Sequence, residues 1–260
     1  MIKLGMPILY EFDNLEDNFK LAEELNLDFI ELNLNFSYCR KGIEDGTLKK
    51  LINKYKLLTT LHFYDEADMG SYPEVVNVYL NLLEKYASLS KGLVEKVNMH
   101  NNCGPIVTIS GKKNYIYQKE YNDYIERILS NFNKAKDILD HYGIELVIEN
   151  IDNAKGATFL MDNFINLNKA GFNFTFDIGH DYVDGSLFYD LIKNNNLKLA
   201  EFHFHDSDGR RCHLALGEGN MDLKYYYNLS KANDSFVLLE VKSSSDLKRS
   251  VDYFRKLSNN

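Results

Sequence analysis

The stretch IELVIENIDNAKGATFLMDNFINLNKAGFNFTFDIGH, residues 144–180, sets two short β-rich runs, IELVIEN (144–150) and FTFDIGH (174–180), on either side of an amphipathic segment that includes FINLNKAG. A strand, a helix closed by glycine and a second strand make one βα repeat. The same alternation continues outward in both directions. Further strands are expected at KLGMPIL (3–9), DFIELNL (28–34), LLTTLHF (57–63), PIVTIS (105–110), LAEFHFHD (199–206) and FVLLEVK (236–242), between helical patterns such as LEDNFKLAEELN and YNDYIERILSNFNKAKDILDHYG. Eight strands, each followed by a helix, predict an α/β protein, a single (β/α)8 TIM barrel spanning 1–260 as one domain. The segment from Pro73 to Asn102 is too long for one helix and is expected to hold a second helical piece before the fourth strand. No linker or low-complexity tract interrupts the pattern.

Composition agrees with this architecture. A chain of 260 residues suits one barrel and can bury a large core. The cysteines, Cys39, Cys103 and Cys212, are odd in number, far apart and without a CxxC pair, so neither a disulfide framework nor a zinc knuckle is suggested and a reducing cytoplasm is expected. The opening MIKLGMPILYEFDN has one lysine and a short apolar run, and no later run is long enough to span a bilayer. The expectation is a soluble, unprocessed cytoplasmic protein with no membrane partner. A formal net charge of −8 repels phosphate backbones at long range and disfavours nucleic acid as a partner. The sequence carries no signal of oligomeric state.

In barrels of this kind chemistry sits at the carboxyl ends of the strands. The late positions of the predicted strands carry Glu31, His62, Glu149, Asp177, His203 with His205, and Glu240, each closing an apolar run. Strand alternation puts Glu149 on the face of Val147, His203 on that of His205 and Glu240 on that of Leu238, pointing into the core. Ionised carboxylates there need a cation or must neutralise. Glu149, Asp177, His203 and Glu240 lie on predicted strands five to eight, neighbours in the wall, so their side chains converge on one point. Three carboxylates and one imidazole are a hard, oxygen-rich set that favours Mn²⁺, Mg²⁺ or Co²⁺, with Zn²⁺ admissible. The competing reading is a buried salt-bridge network, for which these strands offer few inward cations apart from Lys242.

The succession VIEN (147–150), FDIGH (176–180), FHFHDSDG (202–209), HLALGEG (213–219) and LLEVK (238–242) resembles the xylose-isomerase-like TIM barrels, sugar and sugar-phosphate isomerases and epimerases whose relatives include the apurinic-site endonucleases. The resemblance implies that Glu149, Asp177, His203 and Glu240 are the four shared ligands of one divalent metal ion. It also implies that His180 touches substrate, as in the epimerases, or holds a further zinc, as in the nucleases. The nuclease pattern implies three zincs, with a histidine after strand four and an Asp-x-His pair after strand seven. Here the predicted fourth strand reads TISGKK and the loop reads Arg211-Cys212-His213. A guanidinium cannot ligate a metal, so three zincs are not expected.

The expected activity is therefore a divalent-metal-dependent sugar or sugar-phosphate isomerase or epimerase. Glu149 and Glu240 are the catalytic pair, moving a proton through a metal-bound enediolate. His62, His180, His205, Arg210, Arg211 and His213 are expected to shape the substrate site. His62 and His180 could instead only hydrogen-bond near strand ends, and His205 could orient a neighbouring ligand. Arg210 and Arg211 are balanced between solvated loop charges and binding of a substrate phosphate or carboxylate. Lys112 and Lys113 read as solvated, Cys212 as a free thiol, and His100 and His141 as outside any constellation. Two other functions stay open: a zinc-dependent apurinic-site endonuclease, and a barrel that binds sugar or metal without turnover.

Overall fold

A strand buried on both faces reads as a short, nearly continuous apolar run, and a barrel wrapped by helices is made of such strands. A computed structural model describes residues 2–152 and 155–258. Positions 1, 153, 154, 259 and 260 of the expected 1–260 domain lie outside the described residues. The strands are β1 (Lys3–Pro7), β2 (Phe29–Asn33), β3 (Leu58–His62), β4 (Lys96–His100), β5 (Ile106–Ile109), β6 (Lys112–Tyr115), β7 (Glu145–Glu149), β8 (Asn173–Asp177), β9 (Leu199–Phe204) and β10 (Phe236–Leu239). The helices are α1 (Leu15–Glu24), α2 (Ser37–Glu44), α3 (Thr47–Tyr55), α4 (Pro73–Leu89), α5 (Ile116–Lys119), α6 (Tyr121–Tyr142), α7 (Phe159–Lys169), α8 (Ile178–Val183), α9 (Leu187–Asn195), α10 (Leu223–Ala232) and α11 (Ser244–Leu257). Eight strands close into a parallel barrel in the order β1-β10-β9-β8-β7-β4-β3-β2, the (β/α)8 barrel predicted above. No described helix is long and apolar enough to cross a membrane.

Local signals explain where the helices start and stop. Asn14 caps α1 by accepting from the Asp17 amide, Ser243 caps α11 through the Asp246 amide, and Pro73 opens α4. Gly143 ends α6 in the left-handed region at φ 73°.

The fourth strand corrects the sequence reading. Residues 105–110 do not enter the barrel: Ile106–Ile109 pairs antiparallel with β6 around Ser110 and Gly111, at φ 49° and 78°. Two consecutive positive φ values are what a two-residue hairpin loop requires. The barrel strand is Lys96–His100, inside the segment where a second helical piece was expected. The sixth predicted strand also ends early, because Ile178 to His180 begin α8.

The outward faces of the strands, including Ile30, Leu61, Ile148, Phe176, Phe202 and Leu239, join the main core against the helices. Inside the barrel the apolar filling is small, a separate cluster of Phe29, Phe236 and Leu238 with Leu58. A Cβ on Gly5 would lie 2.5 Å from the Phe29 ring, so this position accepts only glycine without a shift. Above this plug the interior turns polar, with Glu31, Thr60, Asn98, Thr175, Glu201 and His203 all buried.

Candidate active site

The parallel register carries the polar strand ends to one rim. His100 pairs with Glu149 across β4 and β7, and Asp177 pairs with His203 across β8 and β9. Glu240 follows β10, its amide held by the Phe204 carbonyl at 3.2 Å. Ligand atoms of Glu149, Asp177, His203 and Glu240 lie within 4.8 Å of one another. His203 Nδ1 is 3.0 Å from Glu149 Oε1 and 3.3 Å from Glu240 Oε2. A cavity of about 330 Å³ opens above them, lined by His62, His100, Glu149, His180, His213 and Glu240 among others. That volume lies at the small end of the range for small-molecule sites.

Residues around this group hold it in place. Asn150 clamps the Asp177 backbone twice, donating to its carbonyl and accepting from its amide, each at 2.9 Å. The His213 amide donates to His205 Nδ1 at 2.8 Å, so the proton of a neutral His205 ring sits on Nε2, which is 3.1 Å from both Asp177 oxygens. His205 is fully buried and acts on Asp177 rather than facing the cavity. Gly179 makes this possible, since a Cβ there would collide with the His205 ring. Asp206 accepts from the amides of Gly217 and Gly219, at 2.9 Å each, and so folds the loop that returns His213 to the rim. His213 itself sits at φ 57°, a left-handed conformation rare for a non-glycine residue.

His100, taken from the sequence as outside any constellation, belongs to this rim. Glu149 Oε2 faces His62 Nε2 at 3.4 Å and His100 Nε2 at 3.5 Å, and accepts from Asn98 Nδ2. His62, His100 and Glu149 form a second group with ligand atoms within 4.8 Å, and His180, His205 and His213 form a third. The missing histidine after strand four was an error of strand placement. The two oxygens of Glu149 therefore address different groups.

Burial alone would raise the carboxyl of Glu149, but the charges of His203 and His100 beside it hold it well below the usual carboxylate range. Glu240 is likewise held low against its burial by His213, Lys242 and His203. The imidazoles answer in kind: burial opposes their charge, yet the carboxylates push His62 and His180 up to about 10. Ionised carboxylates this close attract positive charge strongly. His203 Nδ1 and Nε2 and Glu240 Oε2 are buried without a hydrogen-bond partner. Of these, His203 Nδ1 and Glu240 Oε2 converge with oxygens of Glu149 and Asp177, and a set of three carboxylates and one imidazole fits a divalent ion.

Comparison with known sequences points the same way. The sequence profile of the xylose isomerase-like TIM barrels matches residues 19–257. The chain belongs to that family. An uncharacterized protein of Methanocaldococcus jannaschii, MJ1311, is 25% identical over 150 residues, and the match spans about half of each chain, 52% of this one and 51% of the relative. Among solved structures, a D-tagatose 3-epimerase-like protein superposes with a TM-score of 0.80 at 20% identity, over 99% of this chain and 97% of its own. A D-psicose 3-epimerase of Clostridium cellulolyticum H10, solved with D-tagatose, gives 0.75 at 12% identity over 99% and 98%. The IOLI protein, solved with a zinc atom, gives 0.70 at 15% over 99% and 95%. At these identities the likeness is one of fold.

Within this xylose isomerase-like barrel the two arginines lie apart from the rim cavity. Arg211 pairs with Asp208 of its own loop at 2.8 Å and its side chain is 72% exposed. Arg210 is exposed as well, its amide bound to Asp208. Among the described residues the lysine that lines the cavity is Lys242, with Nζ 2.9 Å from Glu240 Oε1. An exposed pair of this kind is screened by solvent and adds little. Arg211→Ala is accordingly expected to leave the affinity for an anionic ligand within a few-fold of the parent. A loss specific to phosphorylated ligands in a binding titration would restore the arginine to the site.

Glu201, on β9 below His203, was not singled out by its sequence. Burial, reinforced by the charge of Glu31, pushes its carboxyl from 4.5 up to about 8, and neither oxygen has a hydrogen-bond partner. Between those values the folded chain keeps a proton that the unfolded chain has released, so stability falls as pH rises through that window. Glu201→Gln cannot ionise and escapes the penalty. The variant is expected to be more stable than the parent at pH 7 by on the order of 3 kcal/mol, with the gap closing toward about pH 4.5. Urea denaturation across that range checks it; a difference independent of pH would refute the assignment.

Proposed function

We propose that this chain is a cytoplasmic, divalent-metal-dependent epimerase or isomerase of a small sugar or sugar phosphate, working by proton transfer. The observation that carries the reading is the placement of Glu149 and Glu240 on either side of His203 Nδ1, beneath a rim cavity of sugar-like size. Glu149, Asp177, His203 and Glu240 would hold one ion, Mn²⁺, Mg²⁺ or Co²⁺ by the oxygen-rich donor set, with Zn²⁺ admissible. When bound, such an ion supplies Lewis-acid polarisation of a carbonyl and stabilisation of the charge that develops beside it.

The chain's own groups move the proton. Glu149 ends β7 and Glu240 follows β10, three strands apart in the wall, so the two carboxylates approach a sugar in the cavity from different sides. One takes the proton from the carbon next to the carbonyl, and the other returns one to the opposite face for epimerisation or to the neighbouring carbon for isomerisation. His62, His180 and His213 line the same cavity and hold substrate oxygens, while Lys242 offers the charge for a phosphate or carboxylate. The free, half-buried thiols Cys103 and Cys212 and the buried Cys39 accord with a reducing compartment.

The test is a panel of ketopentoses, ketohexoses and their phosphate esters incubated with protein stripped by chelator and reloaded with Mn²⁺. Conversion of one of them that disappears on stripping and returns on reloading supports the proposal; no conversion with any divalent ion counts against it.

One observation favours a second reading, a zinc phosphodiesterase acting at abasic sites. His62 and His100 add two imidazoles to Glu149, giving a group that can take a further ion beside the first. Two or more zinc ions per chain together with cleavage of a duplex carrying an abasic site would move the assignment to it. The net charge of −8 and Arg211 in place of an acidic ligand weigh for the sugar reading.

A further inference from the structure

We infer that Glu31 is the positioning residue of His203: its carboxylate accepts the Nε2–H of the ring and so presents the Nδ1 lone pair to the rim. The inference rests on the reading of His203 as a metal ligand.

The ring of His203 is fully buried and its two nitrogens look in different directions. Nδ1 faces Glu149 and Glu240, at 3.0 and 3.3 Å, while Nε2 faces Glu31 Oε1 at 3.6 Å. A neutral imidazole offers a lone pair at one nitrogen only when the other carries the proton. Coordination through Nδ1 therefore requires a buried Nε2–H, and a buried donor requires an acceptor. Glu31 is the carboxylate within ion-pair reach of that nitrogen. Its separation is longer than a hydrogen bond, and the inferred contact requires the ring and the carboxylate to draw together.

Glu31 is built for this position. It lies on β2, across the barrel interior from β9, and is itself buried. Its other oxygen, Oε2, accepts from the Thr60 hydroxyl at 3.1 Å, and Glu31 and Thr60 are register partners across β2 and β3. The result is a line from Thr60 through Glu31 and His203 to the rim. A carboxylate behind a ligating histidine fixes the tautomer and strengthens the ligand. No apolar packing explains an acid inside the barrel at this height, and the orphaned His203 Nε2 points at it.

Cadmium loaded into protein carrying isotope-labelled histidine reports, through cadmium–nitrogen spin coupling, which ring nitrogen holds the ion. The expected parent spectrum shows coupling at Nδ1 of His203 and a proton on Nε2. Glu31→Leu is expected to weaken Mn²⁺ binding by roughly 10–100-fold in calorimetry. Glu31→Gln, whose amide oxygen still accepts, recovers most of the affinity and keeps the coupling pattern. Thr60→Val loosens the carboxylate without removing it and should give an intermediate loss, which covers the case of a Leu variant that does not fold. Coupling at Nε2 in the parent, or unchanged Mn²⁺ affinity in folded Glu31→Leu or in Thr60→Val, overturns the inference alone. A parent in which no ion couples to His203 overturns the metal-site reading and this inference with it.

Discussion

Glu240→Gln is expected to remove turnover and most metal occupancy while leaving the barrel folded. Glutamine keeps the volume and can still accept from Lys242, but it loses the charge that faces His203 Nδ1 at 3.3 Å and, on the proposed mechanism, one of the two bases. Loss of a positioned acid or base alone lowers a rate by roughly 10² to 10⁴-fold, and weaker metal binding adds to that. The fold should survive because Glu240 follows β10 at the rim, with its side chain 17% exposed, and the backbone contact to Phe204 does not involve the side chain. Circular dichroism and thermal melting report the fold, calorimetry with Mn²⁺ the site, and the sugar panel the rate. A folded variant with parental metal affinity and parental turnover would remove Glu240 from both roles.

The site residues that were legible in the sequence are those where polarity breaks an apolar run. Glu149, Asp177, His203 and Glu240 each close a hydrophobic stretch, and strand periodicity alone turns them inward. His100 was missed for the opposite reason. Its strand alternates Lys96, Asn98 and His100 inward with Val97 and Met99 outward, so the run does not read as β-rich, while the more apolar PIVTIS nearby does. The signal that could have separated them was the Ser110-Gly111 pair followed by two lysines, a hairpin turn rather than a strand exit. Glu201 was hidden differently. It lies within an apolar strand at a height where barrels are ordinarily filled with hydrocarbon, and only the closed sheet shows that it meets Glu31, itself noted as a polar strand end but given no partner, under His203. The arginines drew notice through proximity to the histidines in sequence, yet Asp208 holds Arg211 outward while Asp206 folds the rest of the loop back.

Product formed in deuterated water is expected to carry deuterium at the reacting carbon, and the structure predicts an asymmetry in how much. A proton taken up by Glu149 or Glu240 can exchange with solvent before it is returned, whereas a hydride passing directly between two carbons never leaves the substrate. A hydride route relies on a second ion at the carbonyl, and His62, His100 and Glu149 give a place where one could sit, so isotope transfer decides between the routes more sharply than ligand arithmetic. The two proposed bases differ in access: the Glu240 side chain is 17% exposed, the Glu149 side chain only 1% and wrapped by Asn98, His62 and His100. Glu240 should equilibrate with the solvent quickly and Glu149 slowly. In the direction in which Glu240 returns the proton, label should approach one deuteron per turnover; in the reverse direction, where Glu149 returns it, label should lag behind product. Mass spectrometry of product from each epimer at low conversion measures both. Complete retention of substrate hydrogen in both directions would exclude the proton-transfer roles of Glu149 and Glu240 while leaving the four converging ligands in place, and equal labelling in both directions would show that burial of Glu149 does not limit exchange.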